Sequence, residues 1–243
     1  AMKPALFWDF DGTLVSSPHL WSGSLLKALQ AAWPGCPLTL DDIRPHLRSG
    51  FPWHTPEADF TRVTGEAWWA HMDRHFEKVC MALHAPGGAV RTVPRIIRNM
   101  ILDPGQYVLY EDTVSVLARC GKMGFSQYIL SNNHPDLGRL LDALGLAPYF
   151  ADTIVSGIIG FDKPRKEIFQ YALEMAGNPG FCFMVGDNPY ADGEGAKNAG
   201  IPALMVHTKT PAPSFPCFET LKDAADYIQE ALYAFAGNDH CGL

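Results

Sequence analysis

Two aspartates spaced two residues apart, Asp9 and Asp11, follow the apolar run 5–8 and precede a glycine in Phe7-Trp8-Asp9-Phe10-Asp11-Gly12-Thr13. The run reads as a short buried strand, and side chains two apart on extended backbone point the same way. Both carboxylates therefore face one small volume at the strand's mouth, where Gly12 turns the chain without a Cβ penalty. Paired acids in such a place can divide a reaction between them, one attacking and the other moving a proton. Asp-Gly is equally a common turn dipeptide, so the pair taken alone also fits a solvated hairpin.

The polar residues that could join them stand at the ends of other apolar runs. Ser131 and Asn132 follow 127–130, Lys163 precedes what reads as a first-turn proline, and 181–185 delivers Asp187, with Asp192 after it in Gly186-Asp187-Asn188-Pro189-Tyr190-Ala191-Asp192. Each alone also fits a plainer role: helix N-terminal acids for Asp187 and Asp192, a turn former for Ser131, a surface charge for Lys163. Strands lying side by side in one direction would bring them together. After Asp103 the chain alternates in the way that requires: a helix through Val114, Leu117 and Ala118, strand 127–130, helix 135–144 closed by Gly145, and strand 153–155. Helix 164–176 closed by Gly177, strand 181–185, a glycine-rich helix, strand 203–206 and a last helix 221–236 complete it. Such alternation makes an α/β fold, a Rossmann-like, doubly wound parallel sheet core whose ligands bind beyond the carboxyl ends of the strands. Residues 208–216 read as a proline-rich loop and 237–243 as a loose tail.

Between the first strand and this alternation, 16–103 carries only helical signals. Trp21, Leu25, Leu29 and Trp33 form one stripe on a helix stopped by Pro34-Gly35, and Thr39-Leu40-Asp41-Asp42 has the form of a capping box with Asp42 in place of glutamate. Thr55-Pro56 predicts a short helix closed by Gly65. Trp69, Met72, Phe76, Val79 and Leu83 mark a longer one ending at Pro86-Gly87-Gly88, and another begins near Thr92-Val93-Pro94 and stops at Asp103-Pro104-Gly105. An all-helical domain, 16–103, is thus expected inside a core made of 1–15 and 104–243. Arg44, His46, Arg48, Trp53 and His54 lie between its helices, either as substrate contacts or as an irregular polar connection. His71 and His75, at i and i+4, have a zinc-compatible spacing without an evident third ligand and read as a solvated helix face.

With 243 residues and 47% hydrophobic content, the chain can bury one large core or two modest ones. A net charge of −7 excludes the broad basic surface of a nucleic-acid binder, so an anionic ligand must be held by a local site. No run reaches the roughly 18 apolar residues of a membrane span, and nothing near the N-terminus resembles a signal peptide; Ala1 before Met2 reads as a cloning remnant. The six cysteines are scattered without a C-x-x-C pair. Reduced thiols in a cytoplasmic protein, with no membrane or nucleic-acid partner, are the expectation.

Taken in order, Asp9-Phe10-Asp11, Ser131-Asn132, Lys163 and the Gly186-to-Asp192 stretch resemble the four motifs of the haloacid dehalogenase superfamily of phosphotransferases. The insertion falls where members with a helical (C1-type) cap carry one, and the resemblance spans nearly the whole chain. It implies Mg²⁺ held by the Asp9 carboxylate, the main-chain carbonyl of Asp11 and the Asp187 carboxylate, with Asp192 in support. Charge agrees: four carboxylates against one lysine leave three net negative charges before a phosphate monoester adds nearly two more, which calls for a hard divalent ion. The resemblance further implies that Asp9 attacks phosphorus to give an aspartyl-phosphate, while Asp11 protonates the leaving alcohol and then takes a proton from water. Ser131, the Asn132 amide and the Lys163 ammonium would bind the phosphoryl oxygens. An acid two residues after the nucleophile favours phosphate esters over dehalogenation, so a Mg²⁺-dependent phosphatase of a small phosphorylated metabolite is expected. A phosphomutase of the β-phosphoglucomutase type is the alternative, weakened because Ser16-Ser17-Pro18-His19 does not place a histidine where that family's pattern would. A non-catalytic ligand-binding member of the same fold is another.

Overall fold

The computed structural model describes residues 3–208 and 214–238. Strand β1 (Ala5–Trp8) leads through β2 (Val15–Ser16) into four helices, α1 (Leu20–Ala32), α2 (Leu40–Ile43), α3 (Glu66–Ala82) and α4 (Gly87–Ile101), before β3 (Val108–Leu109) brings the chain back. There follow α5 (Thr113–Lys122), β4 (Ser126–Ser131), α6 (Leu137–Ala143), β5 (Asp152–Val155), α7 (Ser156–Ile159) and α8 (Lys166–Met175). The chain then runs through β6 (Cys182–Gly186), α9 (Gly195–Asn198), β7 (Ala203–Val206), β8 (Cys217–Phe218) and α10 (Leu221–Asn238). Six strands form one sheet in the order β5-β4-β1-β6-β7-β8, every pairing parallel, which is the Rossmann-like α/β core the alternation predicts.

β1 lies at the centre and is buried along its whole length. Leu6 and Trp8 point into one apolar cluster with Leu117 of α5, Leu140 of α6 and Ile228 of α10, while Ala5 and Phe7 point into another with Ile168 and Phe169 of α8. Burial on both faces, worth roughly 1.5–3 kcal/mol for each large side chain, is why the strand reads as a continuous apolar run. Trp8 stands level with Ile129 of β4 and Val185 of β6, so the segments that follow all three strands emerge at one edge of the sheet.

Helices α1 to α4 bury a separate cluster that includes Leu25, Leu29, Trp69, Met72, Phe76 and Ile97. The chain leaves and rejoins the sheet side by side, because β2 pairs antiparallel with β3, Val15 opposite Leu109 and Ser16 opposite Val108. Strands of two residues carry no readable alternation, and neither this ribbon nor β8 has a counterpart in the sequence expectations.

Three local expectations need correction. No helix forms after Thr55-Pro56: 55–64 is turn and coil, and Gly65 instead precedes α3. α4 starts at Gly87 rather than near Thr92, whose hydroxyl donates back to the Gly88 carbonyl (3.0 Å) from inside the helix. The stripe Ala89, Val93, Ile97 and Ile101 is fully buried, and that burial overrides the poor propensity of Gly87-Gly88 and the interior Pro94. Pro164 is not a first-turn residue, since α8 begins at Lys166 with Arg165 as its cap. The expected helix through Val114, Leu117 and Ala118 forms as α5, with Val116, Leu117 and Cys120 on its buried face. The Thr39 capping box does form, with Asp42 Oδ2 accepting from the Thr39 N–H (2.8 Å) and hydroxyl (2.7 Å). Ala1 and most of the expected proline-rich loop and tail fall outside the described residues; α10 itself runs on to Asn238. No helix among the described residues is long and apolar enough to cross a membrane.

Candidate active site

Lys163, only 2% exposed, is the hub of the shared strand edge. Its Nζ donates to Asp9 Oδ1 (2.9 Å), to Asp192 Oδ1 (2.5 Å) and to the Leu130 carbonyl at the end of β4 (2.8 Å). Burial works against the charged form, but Asp192 and Asp9 outweigh it and hold the ammonium above its ordinary pKa. Asn132 fixes the lysine's backbone: its Oδ1 accepts from Lys163 N (2.6 Å) and its Nδ2 donates to Lys163 O (2.9 Å). The surface-charge reading of Lys163 is thereby excluded, and the Asn132 side chain has a clasping role that the sequence expectations did not include.

Asp9, after β1, and Asp187 and Asp192, from one stretch after β6, bring carboxylate oxygens within 4.8 Å of one another. Backbone shape allows it. A Cβ on Gly12 would lie 2.3 Å from Asp187 Oδ2, and one on Gly186 would lie 2.1 Å from Asp192 Oδ2. Those two glycines are the reason the loops can close onto the acids. Burial first, then Asp9 and Asp192, pushes the Asp187 carboxyl up to about 7. Burial likewise raises Asp192 to about 6, against the opposing pull of Lys163. Buried acids held this close are short of positive charge, and their hard oxygen donors suit a divalent cation. Both oxygens of Asp192 are already engaged, Oδ1 by Lys163 and Oδ2 by the Asn188 N–H (3.0 Å). Asn188 in turn accepts from Tyr190 N and Ala191 N (3.0 Å each), opening the π-helical turn Pro189–Glu194 that carries Asp192.

Asp11 has different partners. Its Oδ1 accepts from the Ser17 hydroxyl (2.9 Å) and its Oδ2 from Asn133 Nδ2 (2.7 Å). Burial, followed by the neighbouring Asp9, raises its pKa to about 6. Asn133 cannot swing away. Its Oδ1 accepts from His134 N (2.9 Å), its own N–H donates to Ser156 Oγ (3.2 Å), and its carbonyl accepts from Gly157 N (3.1 Å). Sequence reasoning missed Asn133 and gave Ser17 no partner; the one available signal was a doubled asparagine directly after a strand.

These residues line a cavity of about 630 Å³. Asp9, Asp11, Ser131, Asn132, Lys163, Asp187 and Asp192 all face it from the sheet edge, so every residue singled out by spacing is brought together. The helical insertion supplies the opposite wall. Of its five polar and aromatic candidates, Arg44, Trp53 and His54 reach the cavity, whereas His46 and Arg48 are not among its lining. His71 and His75 are half-buried rather than solvated: a His71 ring nitrogen lies 3.1 Å from the Gly50 carbonyl, and the His75 ring packs 5.9 Å from that of Phe51. They back the wall and hold no metal group, since among the described residues only Asp9, Asp187 and Asp192 satisfy that geometry. Direct bonds tie the insertion to the sheet edge, Trp69 Nε1 donating to Asp136 Oδ2 (2.7 Å) and Gly65 N to the Gly157 carbonyl (2.9 Å).

Comparison with known proteins places this arrangement. The chain is 35% identical over 127 residues to the phosphoserine phosphatase of Thermus thermophilus, a match that spans 51% of this chain and about half, 51%, of that relative's length. It is 27% identical over 223 residues to the phosphoglycolate phosphatase of Rhodobacter capsulatus, spanning 88% of this chain and 90% of that one. Its fold is similar to that of the HAD-hydrolase YfnB from Bacillus subtilis, solved bound to magnesium, with a TM-score of 0.73 at 20% identity over 94% of this chain and 100% of the other. A family model described as haloacid dehalogenase-like hydrolase matches residues 3–200, from the start of β1 to beyond Asp192, and the chain belongs to that family.

Proposed function

We propose that this protein is a Mg²⁺-dependent phosphatase that hydrolyses a small phosphorylated metabolite through an aspartyl-phosphate on Asp9. Residues 16–103 act as a C1-type helical cap over a core of 1–15 and 104–243. One observation carries the reading: the two acids that end β1 have partners of opposite kind, an ammonium on Asp9 and neutral donors on Asp11. A carboxylate beside an ammonium needs no base to become a nucleophile, while a buried carboxyl on neutral donors is suited to carry and pass a proton. The phosphatase names of the Thermus and Rhodobacter relatives support the same chemistry. The free thiols of Cys36, Cys80, Cys120 and Cys182 support a cytoplasmic setting.

With Oδ1 of Asp9 held by Lys163, Oδ2 is the oxygen that attacks phosphorus. The bond from phosphorus to the leaving alcohol breaks, and Asp11 gives that alcohol its proton. Water then attacks the aspartyl-phosphate while Asp11 takes one of its protons. The bond from phosphorus to Asp9 breaks, leaving inorganic phosphate and restoring both acids. The Ser131 hydroxyl, the Asn132 amide and the Lys163 ammonium receive the phosphoryl oxygens. Asp9, the Asp11 carbonyl and Asp187, with Asp192 in support, would hold Mg²⁺, whose charge would offset repulsion between the nucleophile and its dianionic substrate.

With p-nitrophenyl phosphate and Mg²⁺, p-nitrophenol and inorganic phosphate should appear in equal amounts. EDTA should bring release to background and added Mg²⁺ should restore it. A broad ester panel without hydrolysis, alongside tight ligand binding, would leave the non-catalytic reading; isomerised sugar phosphate with little free phosphate would mark a phosphomutase. Asn133 allows a finer check on Asp11. Removing the donor that orients this carboxyl matters most where the leaving group needs a proton. Asn133→Ala should therefore slow hydrolysis of an alkyl phosphate by about 10²-fold, the low end of general-acid catalysis, and that of p-nitrophenyl phosphate by only a fewfold. Equal losses on both esters would assign Asn133 a purely structural part.

A further inference from the structure

The cavity has two ends of opposite character. Every carboxylate in its lining belongs to the sheet edge; the cap wall has none, and carries Arg44, His19 and His54 beside Trp21, Phe51 and Trp53. We propose that this outer end selects a phosphate monoester whose leaving group carries a planar ring and, beyond the ring, a second anionic group, with Arg44 as the residue that reads that charge. The inference rests on the phosphatase reading above and names the class of substrate for the same site.

The aromatic wall is a built surface. Phe51, 3% exposed, stacks on Trp53 with ring centroids 4.7 Å apart and 22° between planes, and meets Trp21 edge-on at 4.9 Å and 65°. Phe51 thus buttresses two half-buried tryptophans that keep surface for a ligand. A flat ring gains offset or edge contacts against such a wall, whereas the hydroxyls of an open-chain polyol would be desolvated there without partners. At about 630 Å³ the cavity is also of a size that takes drug-sized ligands rather than a two-carbon ester.

Aromatic faces attract cations too, so the sign of the distal charge must be set by something else. Arg44 sets it. Its Nη1 bonds Asp41 Oδ1 (2.9 Å), but Asp41 is 88% exposed and lies outside the cavity lining. Among the described residues, its Nη2 meets only the His19 ring, at 3.4 and 3.5 Å. A guanidinium with donors left over, the His19 imidazole beside it and no carboxylate on the cavity's cap wall favours a carboxylate or phosphate oxygen and disfavours an ammonium.

Three aryl phosphates with leaving phenols of similar acidity test this: the 4-(carboxymethyl)phenyl, 4-methylphenyl and 4-(aminomethyl)phenyl esters, assayed with Mg²⁺. The carboxymethyl ester should exceed the methyl ester in kcat/KM by about tenfold, the scale of one charge-assisted bond, and the aminomethyl ester should be slowest. Arg44→Gln should collapse the carboxymethyl-to-methyl ratio to near one. Asp41→Asn, which breaks the same surface pair but keeps the guanidinium, should preserve it. Benzyl phosphate should likewise outpace cyclohexylmethyl phosphate by about threefold or more. Equal rates across either set, a preference for the amine, or a ratio that survives Arg44→Gln overturns the inference and leaves the phosphatase reading standing. If none of the esters turns over, the phosphatase reading itself is overturned.

Discussion

Asp9→Asn is expected to lower phosphate ester turnover by about 10⁴-fold or more while leaving the fold intact. The amide has the shape of the carboxylate, and its oxygen can still accept from Lys163 Nζ in place of Asp9 Oδ1, 2.9 Å away in the native site. It lacks the charge and the lone-pair reactivity needed to open a phosphate ester. Stability should change little, because Lys163 keeps Asp192 and the Leu130 carbonyl as partners. Two measurements separate loss of the nucleophile from loss of structure: steady-state hydrolysis of p-nitrophenyl phosphate, and thermal unfolding of both proteins. A third is direct. Acid quenching during turnover of a ³²P-labelled ester should leave label on the native protein and none on the variant. Turnover within about tenfold of native would show that the attacking oxygen belongs to another group.

Residues that announce themselves by type and by position after an apolar run were legible in the sequence. Asp9, Asp11, Ser131, Lys163, Asp187 and Asp192 stand at or just beyond the ends of β1, β4 and β6, or on the loops beside them, and the cavity collects all six. The parallel sheet follows from the same logic, since a strand buried on both faces leaves an unbroken apolar run. What escaped notice depends on partners distant in sequence. Asn133 has a role only because Asp11, 122 residues away, turns one oxygen toward it. Asn132 clasps the backbone of Lys163, 31 residues on, through its side chain, a role separate from the one expected of its main-chain N–H. In the helical insertion, packing overrules local signals. Pro94 sits inside α4 because Val93, Ile97 and Ile101 are buried on the same face, and Thr55-Pro56 starts nothing because no comparable stripe follows it. Proline and glycine mark where helices are disfavoured; tertiary burial decides where they end.

Lys163→Met is expected to be the single change most damaging to stability, and to lower turnover as well. The lysine side chain is 2% exposed and its two acidic partners, Asp9 and Asp192, are 12% and 0% exposed. Removing the ammonium leaves two buried carboxylates facing each other without compensation. Breaking a buried pair in this way costs about 3–5 kcal/mol, against a few tenths for a surface pair. Urea unfolding should report that loss directly, and turnover should fall by about 10²–10³-fold with the lost stabilisation of the phosphoryl oxygens. Repulsion and catalysis can then be separated by a second change. Asp192→Asn in the Lys163→Met background removes one of the opposed charges and keeps the acceptor for the Asn188 N–H, a 3.0 Å bond in the native site. Much of the lost stability should return while turnover stays low. A double variant no more stable than Lys163→Met would mean that the lysine stabilises the fold by filling space at the strand ends, and that its charge serves the substrate alone.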